Sequence, residues 1–277
     1  MKLLSFPKAV ACLFVAGVLG FQMHAAQADL PKLKQSGILK VAVYKDFAPF
    51  SDKDSGIDVD FADALAQKLG LRLSLLPFDA GENLNDDLRN MVWKGHYLGY
   101  GPADVLMHVP VDRNLMEENK RVEIFAPYYQ ENVRLVRDVS KFPAYDGVDS
   151  LAGKRVGVEK VSIAAMVLLG EQDGKFRNDV KIFPTAAEAL EKLKAGELDA
   201  VLATRSEIES ALRQDPRFQQ SEVSFQRLPR KGWVVGLSVK RDNVELAKAL
   251  QAATNELVAS GELAKIFAKY GVTLTKP

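Results

Sequence analysis

Residues 93–137 read WKGHYLGYGPADVLMHVPVDRNLMEENKRVEIFAPYYQENVRLVR, and their order decides the architecture. A helix runs out near Gly95, an aromatic, glycine-rich insertion follows, and Asp104 opens a short apolar strand, Val105-Leu106-Met107. A polar loop then leads to Phe125-Ala126-Pro127-Tyr128-Tyr129 and to a strand-like run over 132–136. Open parallel sheets bind ligands at strand ends, where loops present polar and aromatic side chains. The segment therefore reads as one wall of a ligand cleft, with its exit as a hinge.

The same order of elements occurs twice along the chain. Gly37-Ile38-Leu39-Lys40-Val41-Ala42-Val43 reads as a strand, and so does Gly153-Lys154-Arg155-Val156-Gly157-Val158. Each precedes a helix, over about 58–69 and 162–169, stopped by Gly70 and Gly170. Strands over 71–76 and 180–183 end at Pro77 and Pro184. Helices over 84–94 and 185–195 then run into Gly95 and Gly196, and each half reaches an aspartate, Asp104 or Asp199, that starts a strand. Thr185 and Glu188 form the Thr-x-x-Glu capping pattern that fixes a helix start. Such alternation builds sheets covered by helices, so the expected fold class is α/β with two lobes, each a helix-covered, mostly parallel sheet. Downstream, residues 205–213 read as a helix, 222–228 and 233–239 as strands, and an amphipathic helix begins near Asp242, with Leu246, Leu250, Ala253 and Leu257 on one face. Beyond Gly261, Leu263, Ile266, Phe267 and Tyr270 continue a helical pattern.

The N-terminus reads as an export signal. Lys2 and Lys8 precede an apolar run over 9–21, and Ala26-Gln27-Ala28 supplies the small-x-small cleavage signature, which makes 1–28 the expected signal peptide and Asp29 the first mature residue. That run is short for a membrane anchor. The single cysteine, Cys12, lies inside it behind Val10-Ala11, which is not the lipoprotein arrangement. Loss of 28 residues from 277 leaves 249 without a cysteine, so stability rests on core packing. Loss of Lys2 and Lys8 from 37 basic residues leaves 35 against 36 acidic ones, which gives no nucleic-acid surface.

The ordered set of motifs is similar to bacterial extracellular solute-binding proteins of family 3, the amino-acid type that serves ABC importers. The resemblance rests on the run 36–43, on Phe47-Ala48-Pro49-Phe50, on Gly56 to Gly70, on the two Asp-strands and on the ending from Gly261 to Gly271. It implies a type II periplasmic binding-protein fold with hinge crossings near 130–134 and 231–237. Lobe 1 would then be 29–131 plus 235–277, and lobe 2 would be 132–234. It further implies a periplasmic, monomeric binding protein rather than an enzyme, without cofactor or metal, that closes on a small molecule and meets an inner-membrane permease.

Departures from the family pattern bear on the ligand. The loop expected to carry a carboxylate-gripping arginine reads Met107-His108-Val109-Pro110-Val111-Asp112-Arg113, so Arg113 is the candidate substitute. The second-lobe helix start reads Val161-Ser162-Ile163, and the aspartate that pairs with a ligand ammonium falls on Thr204. An ammonium left unpaired in a closed cleft would cost several kcal/mol, roughly the penalty of a broken buried pair. The expectation is therefore a small anionic or polar organic ligand, with common α-amino acids bound poorly. The phrase Asp104-Val-Leu-Met-His-Val-Pro with Pro127-Tyr128-Tyr129 also resembles binding-protein-like components of quinoprotein (methanol or alcohol) dehydrogenases, which offers a periplasmic dehydrogenase as the alternative partner. A dehydratase on the same fold would need an acid–base pair that the sequence does not display.

Each candidate residue has an ordinary alternative. Phe47 and Phe50 would sandwich a ligand or pack under their loop. Ser162 would present free N–H groups to an anion or cap its own helix. His108 and Met107 stand at a strand end, where a histidine more often serves structure than a metal. Arg113, Thr204 and Arg205 are ligand candidates, and Arg113 alternatively belongs to a solvated charged face over 112–123. Trp93, Tyr97 and Tyr100 offer an aromatic partner surface or cap the core of lobe 1.

Overall fold

The computed structural model describes residues 29–228 and 231–277. The signal peptide expected over 1–28 lies outside the described residues. Helix α1 (Asp29–Ser36) leads into β1 (Ile38–Tyr44), α2 (Ile57–Lys68) and β2 (Arg72–Phe78). Helix α3 (Leu84–Leu88) passes directly into a π-helical turn (Arg89–Trp93), followed by β3 (Val105–Pro110), α4 (Arg113–Glu118) and β4 (Val122–Glu131). The second lobe contains β5 (Val133–Asp138), β6 (Val156–Glu159), α5 (Ile163–Gly170), β7 (Val180–Phe183), α6 (Ala186–Lys194), β8 (Ala200–Thr204), α7 (Arg205–Leu212) and β9 (Phe218–Glu222). The chain then returns through β10 (Trp233–Lys240) to α8 (Val244–Ala259) and α9 (Glu262–Lys269).

Two five-stranded sheets result, ordered β2-β1-β3-β10-β4 and β7-β6-β8-β5-β9. Each is mixed: β1 pairs in parallel with β2 and β3, and β6 with β7 and β8, whereas β10 and β5 pair antiparallel with their neighbours. The antiparallel strands are those that enter and leave the crossings, which is why the expectation of mostly parallel sheets holds only for the repeated half of each lobe. The repeated aspartates have a shared structural reason. Asp104 accepts the Lys40 N–H at 2.8 Å, and Asp199 accepts the Arg155 N–H at 2.9 Å. In both lobes the carboxylate satisfies the neighbouring strand where the backbone ladder begins.

Both faces of the first sheet are covered. Leu39, Val41 and Val43 of β1 pack with Ile57, Phe61 and Leu65 of α2 and Leu250 and Leu257 of α8. Ala42 turns to the opposite face, against Leu88, Met91 and Val92. In the second lobe Val156 and Val158 face Val167 and Leu168, while Val201 faces Ala189, Leu190 and Leu193.

One sequence expectation is corrected. The strand expected over 222–228 is shifted back to β9, an edge strand of mostly polar residues held by β5. Phe225 and Leu228 are instead buried from a loop, so their apolar character reports burial and not a ladder. The run over 112–123, read as a solvated charged face, is largely exposed and contains α4, capped where Asp112 accepts the Leu115 N–H at 2.9 Å. No described helix is long and apolar enough to cross a membrane.

The two crossings lie side by side. Asn132 alone separates β4 from β5, and Trp233 of β10 is registered against Glu131. Gly232 adopts φ 71°, and a β-carbon there would sit 1.8 Å from the Glu131 carbonyl oxygen. Only glycine permits so close an approach.

Candidate ligand cleft

A cleft of about 600 Å³ opens between the lobes. Its lobe 1 wall is the loop Asp46-Phe47-Ala48-Pro49 after β1, and Trp233 joins the lining at the second crossing, registered against Glu131. Its lobe 2 wall contains the loop 159–164, the start of α6, and Thr204 with Glu207 of α7. These are the C-terminal ends of the parallel strands β1, β6 and β8, where the fold leaves side chains free of ladder packing.

The lobe 2 wall is organised by helix N-termini, each already furnished with a chain oxygen. Ser162 caps α5, accepting the Ala165 N–H at 3.0 Å and donating to the Glu159 carbonyl at 2.7 Å. Glu159 takes the Ala186 N–H at the start of α6, beside the Thr185 hydroxyl, which accepts the Glu188 N–H at 3.2 Å. At α7 the arrangement is a complete capping box. The Thr204 N–H and hydroxyl both donate to Glu207 Oε2, at 2.9 and 2.6 Å, and Thr204 Oγ1 accepts the Glu207 N–H at 3.4 Å. The helix therefore folds a carboxylate back onto the very residue that lacks one. Burial pushes the Glu207 carboxyl up to about 7 against the pull of the Thr204 donors, with Glu159 and Glu131 adding to the rise. Glu159 is raised as well, by burial, with the Ala186 N–H and Lys160 opposing.

The lining holds Asp46, Glu159, Glu191 and Glu207 against Lys160 and Lys194, and Lys194 is paired with Glu191 at 2.5 Å. The remaining surplus is acidic. Two apolar side chains stand in the same wall without cover: Val161 is 100% exposed and Ile163 40%. Among the described residues there is no group of three or more His, Cys, Asp or Glu side chains arranged to hold a metal.

Behind Phe47, lobe 1 buries a polar cluster. The Tyr128 hydroxyl donates to Asp58 Oδ1 at 2.6 Å, and His108 Nδ1 lies 3.1 Å from Asp58 Oδ2. The His108 ring meets Phe50 at 4.1 Å and Phe47, edge-on, at 4.8 Å. Next to the crossings, Glu131 is buried and accepts from the Ser206 hydroxyl of α7 and from the Asn132 N–H at 2.8 Å. Burial raises its carboxyl, and these donors oppose the rise.

Of the residues singled out from sequence, Phe47, Ser162 and Thr204 line the cleft. Phe50 and Met107 are buried in the core of lobe 1, and His108 lies beneath Phe47. Arg113 is a correction: its side chain is 89% exposed, outside the cleft lining, and paired with Glu117 one turn along α4. The loop after β3 folds into a helix that carries it outward. Arg205 also points away from the cleft, donating to the Thr273 carbonyl at 2.7 Å and facing Glu209 at 3.5 Å. Glu209 in turn accepts the Thr273 N–H at 2.7 Å, so both residues tie α7 to the C-terminal tail. In the aromatic insertion, Trp93 lies under the Arg121 guanidinium and Tyr100 stacks on His96, while Tyr97 is 88% exposed. Glu159, Glu207 and Trp233 were not recognised as site residues from sequence. The signal for Glu207 was present, since Thr204-x-x-Glu207 repeats the capping pattern of Thr185-x-x-Glu188.

Comparison with known proteins agrees with this geometry. No family model matches the chain. The L-cystine-binding protein TcyJ of Escherichia coli strain K12 is 23% identical over 274 residues, covering 96% of this chain and 95% of that protein. A probable histidine-binding protein of Neisseria gonorrhoeae is 26% identical over 255 residues, covering 88% and 86%. The structure of an ancestral cationic amino-acid solute-binding protein superposes with a TM-score of 0.69 at 19% identity, covering 87% of this chain and 99% of that one. The chain has the type II periplasmic binding-protein fold, and the two relatives named above, which match most of its length, are named for amino-acid binding, whereas cyclohexadienyl dehydratase of Pseudomonas aeruginosa is 36% identical over 75 residues, 25% of this chain. None of the first three is a dehydrogenase component or an enzyme, and the narrower quinoprotein resemblance gains no support from them.

Proposed function

We propose that this chain is a periplasmic receptor, exported by a cleaved signal, that closes its lobes on a basic or polar amino acid and presents it to an ABC permease. The observation that carries the reading is the acidic second wall. The helix starts that would otherwise receive an anion are occupied at α6 and α7 by Glu159 and Glu207. At α5 the Ser162 side chain takes the Ala165 N–H, which leaves the first-turn N–H groups of Ile163 and Ala164 for a ligand carboxylate. A ligand ammonium would meet Glu207, held by Thr204 in the place of the family's aspartate, so the expected unpaired charge does not arise. Phe47 and Trp233 suit the apolar or cationic part of the side chain.

Lobe 1 would then be 29–131 with 235–277 and lobe 2 132–234, turning about the crossings at Asn132 and Gly232. Closure would bury Val161 and Ile163, whose exposure suits an open receptor. The relatives named for cystine and histidine fit this ligand class. A thermal-shift screen of the twenty amino acids at pH 7.5 tests it, because a ligand of the folded state raises stability by mass action. Arginine, lysine or histidine, or cystine added to the screen, should raise the melting temperature, and aspartate and glutamate should not. Stabilisation by the acidic pair alone would reverse the assignment.

A further inference from the structure

The C-terminal tail beyond α9 has no part in the ligand scheme, yet it touches both lobes. Val272 is buried in the core of lobe 1, and Leu274 packs against that core. Thr273, between them, is held by lobe 2. Its carbonyl accepts from the Arg205 guanidinium at 2.7 Å, and its N–H donates to Glu209 at 2.7 Å. The same guanidinium reaches the hydroxyl of Tyr129 in β4 at 3.4 Å. Two residues on, the Thr275 carbonyl accepts the Gln130 N–H at 2.9 Å, beside the first crossing. The tail thus adds a noncovalent connection between the lobes to the two crossings. Its bond to lobe 2 is polar. A cavity of about 110 Å³ separates Gly271 and Thr273 from Ile208, Leu212 and Phe218, so parting the tail from α7 exposes little new apolar surface.

Helix α7 stands between the ligand cleft and this tail. Thr204, Glu207 and Ala211 recur at helical spacing and line the cleft. Arg205, Glu209 and Leu212 recur on the opposite face, toward the tail. A swing of α7 toward the cleft is therefore a swing away from Thr273. We propose that the clasp of Arg205 and Glu209 on Thr273 is a latch that holds the receptor open and parts when the lobes close. The proposal rests on the two-lobed receptor reading and deepens it, because it names what a closing ligand must overcome. Closure forfeits the hydrogen bonds of the clasp, so few ligand-free molecules are closed, and the apparent affinity falls by that fraction.

The test uses the whole mature protein, whose sequence from Asp29 holds no cysteine, with L-arginine as probe. Spin labels on Asp54→Cys in lobe 1 and Glu188→Cys in lobe 2, both exposed positions, report the separation of the lobes. Two variants remove the clasp: Arg205→Ala combined with Glu209→Ala, which keeps the tail, and a chain ending at Val272, which lacks it. Without ligand, both should move part of the label distances to shorter values, in the direction that saturating L-arginine moves wild type. Both should also bind L-arginine about three- to tenfold more tightly by calorimetry, the net worth of one or two hydrogen bonds. If the shortened chain does not fold, the double substitution decides alone, because it leaves Val272 and Leu274 in place. Ligand-free distances unchanged or lengthened in the double variant would overturn the latch while leaving the receptor reading intact. Shortened ligand-free distances in a protein that binds neither L-arginine nor any other basic or polar amino acid would support the latch and sink the proposed ligand class.

Discussion

Glu207→Gln should stabilise the free protein at alkaline pH and leave it nearly unchanged in acid. The carboxyl titrates near 7 in the fold against 4.5 in its ordinary range, so the folded state holds a proton that the unfolded chain has released across that window. A raised carboxyl contributes stability that is fully present below the unfolded value and is lost as pH rises through the folded one. The whole shift corresponds to about 3 kcal/mol at most, of which about 2.5 kcal/mol falls between pH 5 and pH 8. Glutamine carries no charge to desolvate, and its single carbonyl can replace Oε2, the oxygen that receives both Thr204 donors. Urea denaturation of both proteins at the two pH values reads the difference. The stability gap between variant and wild type should widen by roughly 2–3 kcal/mol from pH 5 to pH 8. A gap that stays constant within about 0.5 kcal/mol would refute the claim that burial governs this carboxylate.

Further expectations concern the frame around the cleft. Arg113→Ala should change stability and ligand affinity by less than about 0.5 kcal/mol, because its ion pair with Glu117 lies on an exposed helix face; calorimetric titration checks this. Gly232→Ala drives a β-carbon into the Glu131 carbonyl oxygen and should lower stability by about 1–3 kcal/mol, seen as a reduced melting temperature. Ser206→Ala removes one of the donors to buried Glu131 and should cost about 1–3 kcal/mol in a denaturant titration.

Much of the fold is legible in the sequence because the repeat is written in strong signals. Glycine stops, an aspartate at each strand start and apolar strands of four to seven residues locate most of β1 to β8 and their helices. What hides β9 is its edge position: polar residues on a solvated strand carry no period, while Phe225 and Leu228 imitate one from a loop. The site is harder to read because a side chain's direction depends on the next element. Arg113 follows the correct strand but is turned out by α4, and Arg205 adjoins Thr204 yet faces the tail. Glu207 reaches the cleft only because a helical turn brings residue 207 back over residue 204. The aspartate's absence at position 204 was visible in one dimension, and its replacement required three.

The most direct test of the account is a pair of calorimetric titrations with L-arginine, on wild-type protein and on Glu207→Gln, at pH 8 where the carboxylate is ionised. The account predicts measurable binding by wild type and a loss of roughly 2–5 kcal/mol in the variant, the range for removing one partner of a desolvated charge pair. Equal affinity in the two proteins would contradict it.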